Sequence, residues 1–142
     1  IPPTALTEIL PVMSPTGRTE DVKLEPQNGF LAIADASNDR ILFVDFEARE
    51  NPQSASHIAK AVILESAHLK YPHGIAFIDS DTFVVAIRLG DVALFSVSAS
   101  AEHAEIYREP LVVLEESEQT QIQNPGSVDV YPLSGGDFRM LV

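Results

Sequence analysis

Phe30-Leu-Ala-Ile-Ala34, Asp35-Ala-Ser-Asn-Asp39 and Arg40-Ile-Leu-Phe-Val-Asp-Phe46 follow one another without interruption. Two apolar runs flank a cluster of Asp, Ser and Asn, which reads as strand, tight loop, strand. The pattern returns in Thr82-Phe-Val-Val-Ala-Ile87, Leu89-Gly-Asp91 and Val92-Ala-Leu-Phe-Ser-Val97. The runs are five to seven residues long, an ordinary strand length.

Working outward, the unit repeats. Thr19-Glu-Asp-Val-Lys-Leu24, Pro72-His-Gly-Ile-Ala-Phe77 and Pro125-Gly-Ser-Val-Asp-Val130 align, with Val22, Ile75 and Val128 at intervals of 53 residues. A turn follows each segment: Pro26-Gln-Asn-Gly29, Asp79-Ser-Asp81 and Pro132-Leu-Ser-Gly-Gly-Asp137. New strands then open at Phe30, Thr82 and Phe138. An apolar strand flecked with acid precedes each segment, at Leu6–Val12, Ala61–Glu65 and Leu111–Glu116. This period lies in the range of a propeller blade with long loops.

The expected fold is therefore all-β, a partial β-propeller of four-stranded antiparallel blades. With strands lettered A to D from the axis outward, the chain reads D-ABCD-ABCD-AB. Residues 1–17 supply the outer strand of a preceding blade, 18–68 a first blade, 69–121 a second and 122–142 the start of a third. Only a short segment around Ser54–Lys60 reads as helix. A blade buries both faces against its neighbours, so such an array needs something more to close it. The expected partners are the remaining blades of a parent chain, a second fragment, or further copies of this chain.

Nine basic residues against twenty-one acidic ones give a net charge of −12. That balance argues against nucleic acid and anionic membrane surfaces, which repel a negative protein. Cysteine is absent, which removes disulfides and thiolate metal sites. No apolar run reaches the roughly 18 residues of a membrane span. The expectation is a soluble protein, with secretion or a periplasmic location after processing left open.

Ile33-Ala-Asp-Ala-Ser-Asn-Asp-Arg-Ile-Leu-Phe-Val-Asp45 resembles the NHL-type repeat, and Tyr71-Pro-His-Gly-Ile-Ala-Phe-Ile-Asp79 looks like the start of the next repeat in the same broad group. NHL proteins, the regucalcin/gluconolactonase group and the streptogramin lyase group share such repeats. The second unit departs from the pattern, with Ile87-Arg88 where the first has Ala34-Asp35 and a shorter loop at Leu89-Gly90-Asp91. The resemblance implies a ligand site at one mouth of a central channel, lined by the loops between blades and between the second and third strands of each blade.

Those loops carry Glu20, Asp21, His73, Ser127, Asp35, Asn38, Asp39, Arg88 and Asp91. His73, between Pro72 and Gly74, is the candidate catalytic base, because an imidazole exchanges a proton near neutral pH. Glu20 occupies the equivalent position one repeat earlier. Glu20 and Asp21 are candidate ligands for a hard divalent cation such as calcium or magnesium. Arg88, Asp35, Asn38 and Asp91 are candidate binding residues. Asp35, Asn38 and Asp39 also suit turn chemistry, and Arg88 is placed to pair with Asp91 or Asp35.

Two functions fit. One is a scaffold that binds a small molecule or a protein at the channel mouth, incomplete without further blades. The other is a divalent-metal-dependent hydrolase or lyase of the gluconolactonase or streptogramin lyase type.

Overall fold

Alternating apolar residues and closely spaced turns leave this chain little choice but short strands. The computed structural model describes residues 17–27, 29–47, 57–97 and 105–142. They form eleven strands: β1 (Thr19–Leu24), β2 (Leu31–Asp35), β3 (Arg40–Glu47), β4 (His57–Glu65), β5 (Pro72–Phe77), β6 (Thr82–Ile87), β7 (Val92–Ser96), β8 (Glu105–Tyr107), β9 (Val112–Leu114), β10 (Asp129–Pro132) and β11 (Phe138–Leu141). A 3₁₀ turn at Ala36–Asn38 joins β2 to β3.

Three sheets result. The first has the order β1-β2-β3-β4-β8, the second β5-β6-β7-β9, and the third is the hairpin β10-β11. All pairs are antiparallel except β4 with β8. The first sheet thus has five strands where four were expected. The extra strand comes from the connection between β7 and β9, which reaches across to the first sheet. The outer edge of β4 would otherwise present a row of unpaired backbone groups, and β8 covers part of it. Ile106 is buried there, and the Arg108 N–H donates to the Glu65 carbonyl.

The expected helix is also corrected. His57–Lys60 belong to β4 and pair with β3, with Glu47 opposite His57 and Asp45 opposite Lys60. A long neighbouring strand with free hydrogen-bonding groups outweighs the weak helical preference of this stretch. Residues 54–56, and the strand expected at Leu6–Val12, lie outside the described residues.

The sheets stack through alternate side chains, as the strand period requires. Ala32, Ala34, Ile41, Phe43, Val62 and Leu64 of the first sheet meet Ile75, Phe83, Val85, Ile87, Ala93 and Phe95 of the second. Phe83 joins the two. Its ring lies 5.3 Å from that of Phe43, edge to face, and stacks 5.9 Å from that of Phe95. Burying such a side chain contributes about 1.5–3 kcal/mol. The opposite face of the second sheet, with Ala76, Val84, Ala86 and Val92, packs on Val130 and Met140 of the third and on Val128 just before it. Tyr131 and Leu141 point the other way from the hairpin and are exposed.

Among the described residues no helix is long and apolar enough to cross a membrane.

Candidate functional site

The first strand of each sheet lies beside the first strand of the next, and this adjacency builds the site. Asp21 on β1 accepts a hydrogen bond from the N–H of Ile75 on β5 at 2.9 Å. Gly74 on β5 lies against the backbone at Ser127, where a Cβ would come within 2.8 Å of the Ser127 Cα. Only glycine permits so close an approach of two backbones. Positions 53 residues apart therefore touch in series, with Glu20, His73 and Gly126 forming one such row.

His73 is the centre of that row, its side chain 19% exposed. Nδ1 contacts the Gly126 carbonyl. A carbonyl only accepts, so Nδ1 carries a proton and Nε2 of the neutral ring is an acceptor. Arg88 Nη1 donates to it at 2.9 Å. Glu20 Oε2 lies 3.1 Å from the same Nε2. The neutral ring satisfies Gly126 and Arg88, whereas a proton on Nε2 would match Glu20 instead. One atom thus faces a fixed cation and a fixed anion.

Glu20 is itself only 10% exposed, and its other oxygen is turned toward Arg18 in an ion pair. Arg18 also lies over the ring of Tyr71, 6.0 Å from the centroid, within cation–π range. Arg18 and Tyr71 are again equivalent positions, 53 residues apart, and Asn124 is the third. Tyr71 and Asn124 both adopt the left-handed backbone region, with φ of 60° and 46°, and each precedes a proline. Backbone bonds hold the surrounding pieces: Arg88 N–H to Tyr71 O, Leu89 N–H to Lys70 O, and Ala36 N–H to Arg18 O. Arg18, Tyr71, Arg88 and Leu89 line a cavity of about 290 Å³.

The other expected residues divide differently. Asp35 is buried and accepts two hydrogen bonds from the Asn38 amide, both at 2.9 Å, and one from Arg40 Nε at 2.8 Å. It fixes the loop. Asp39, with φ of 54°, accepts from the Tyr71 N–H at 2.8 Å and pairs with Lys70. Asp91 accepts from the Glu116 N–H at 3.2 Å. Arg88 therefore pairs with neither Asp35 nor Asp91. Asp35 already holds Asn38 and Arg40, Asp91 faces the approach from β9, and the β6–β7 turn carries Arg88 to His73.

Asp21 uses both oxygens on backbone donors, Val22 N–H at 2.8 Å and Ile75 N–H. Among the described residues no group of three or more His, Asp or Glu is arranged to hold a metal ion. A larger groove of about 660 Å³ between residues 120–127 and β11 is lined by no charged side chain.

Arg18 and Tyr71 were missed in the sequence. Arg18 falls in no motif, and Tyr71 opens the segment Tyr71–Asp79 without being singled out; their signal is their spacing, each two residues before Glu20 and His73 and 53 residues apart.

No protein-family model matches the chain, and none of the curated proteins matches it significantly.

Proposed function

We propose that this chain is an arc of a β-propeller that binds a ligand at the channel mouth, where Arg18, Glu20, Tyr71, His73 and Arg88 converge. The observation that carries the reading is the row Glu20–His73–Gly126, in which each residue touches its repeat equivalent. Inner strands that stand side by side at a constant register are what a blade array around an axis produces. The resemblance to NHL-type repeats supports the same arrangement. Closing the ring takes further blades, from a parent chain, a second fragment or other copies of this one.

Binding is favoured over chemistry because the polar groups at the mouth are mutually engaged. Both oxygens of Asp21 are taken by backbone amides, and His73 is held between Gly126, Arg88 and Glu20. A concave site with a few convergent polar groups and an aromatic wall is the usual form of a small-molecule pocket.

A fragment screen by ¹⁵N NMR tests this reading. Hits should cluster on the amides of Tyr71, His73, Arg88 and Leu89 without being chemically altered. Hits confined to the groove of residues 120–127, or turnover of a fragment abolished by a chelator, would contradict it.

A further inference from the structure

The cavity beside the His73 row has an unusual lining for so acidic a protein. The chain carries a net charge of −12, yet two guanidinium groups, one phenol ring and one leucine line this space, and no carboxylate does. We propose that it is a site for a small organic monocarboxylate. The carboxylate sits between Arg18 and Arg88, and an apolar or planar body lies against Tyr71 and Leu89. This rests on the mouth-binding reading above and specifies its ligand.

Geometry and charge both favour that class. Each guanidinium presents five donors in a planar fork that matches a carboxylate. Nη1 of Arg88 donates to His73, and Nε of Arg18 faces Glu20 in an ion pair. The Arg88 fork is thus held by the protein before a ligand arrives, which lowers the cost of binding. Backbone bonds at Arg88, Leu89 and Arg18 hold the same walls. Two guanidinium groups stand against the single carboxylate of Glu20, which favours one further carboxylate between them. The volume of about 290 Å³ sits at the small end of ligand pockets. Tyr71 offers a ring face to a planar body, with Arg18 already over that ring.

Three probes of one shape and different charge decide the matter: benzoate, benzamide and benzylammonium, titrated into the full chain and followed by ¹⁵N NMR. Benzoate should shift the amides of Tyr71, Arg88 and Leu89 saturably, and the other two should not at the same concentration. Losing one charge-assisted arm should weaken benzoate about tenfold or more in Arg88→Gln. Arg88 is exposed, so this substitution leaves the fold intact. Arg18→Gln should weaken benzoate likewise. If benzamide or benzylammonium binds these residues as well as benzoate, the mouth binds ligands but the carboxylate assignment fails. If no probe shifts them, the assignment and the mouth-binding reading fail together.

Discussion

Replacing Gly74 with alanine tests the approach of neighbouring repeats. The added Cβ would lie 2.8 Å from the Ser127 Cα, 3.0 Å from the Val128 N and 3.1 Å from the Ser127 carbonyl carbon. Carbon atoms are comfortable at about 3.5–4.0 Å. The strand β5 and the segment leading into β10 must therefore separate by roughly 0.7 Å or more, by the same contact distance. Backbone atoms cannot swing aside as a side chain can. Overpacking of this kind costs about 1–3 kcal/mol. Alanine also loses less conformational entropy on folding, which offsets about 0.4–1 kcal/mol. The net expectation is destabilisation of about 1–2 kcal/mol, a fall in Tm of roughly 3–8 °C for a chain of this size. Gly126→Ala is the control, because a Cβ there would meet only His73 Nδ1, at 4.0 Å. Urea denaturation of both variants beside the parent gives the comparison. A Gly74→Ala protein as stable as the parent, or a Gly126→Ala protein that loses more, would refute the packing described.

Other substitutions report on separate parts. Asp35→Ala removes the partner of Arg40 and both bonds to Asn38 from a buried position, and should cost about 3 kcal/mol in urea denaturation. Asp21→Ala leaves the buried Ile75 N–H without its acceptor. It should cost about 1–3 kcal/mol and speed hydrogen exchange at the Ile75 amide more than at Val85. Phe83→Ala empties the contact between the first two sheets and should cost about 3–5 kcal/mol, read from the denaturation midpoint. Calcium or magnesium added to the protein should leave Tm unchanged, since Asp21 is occupied by backbone donors; a saturable rise lost in Glu20→Gln would favour a metal site.

The strands near the 53-residue repeat were readable because turn residues mark their ends. Asp35–Asp39 and Leu89–Asp91 fall between paired strands, as their composition requires. What escaped the sequence depended on partners remote in the chain. His57–Lys60 has no marked alternation of its own and becomes strand through β3. The parallel strand β8 is three residues long, too short for a periodic signal, and is held by the free edge of β4. At the site, His73 and Glu20 were legible as equivalent positions in successive repeats. The partner expected for Arg88 was wrong, because Asp35 is engaged by Asn38 and Arg40 and Asp91 by the Glu116 amide, which leaves Arg88 to His73. Arg18 carries no local signature, and Tyr71 shows its role only when positions 53 residues apart meet in space.

The central claim is that successive repeats stand side by side in one register. The chain has no cysteine, so nitroxide labels can be placed at Lys23→Cys and Asp129→Cys without other changes. Both residues are exposed and line one cavity beside Ala76 and Phe77. Electron paramagnetic resonance of the doubly labelled protein should show strong dipolar broadening relative to the single labels. Spectra equal to the sum of the single labels would contradict the stacked repeats and the mouth built on them.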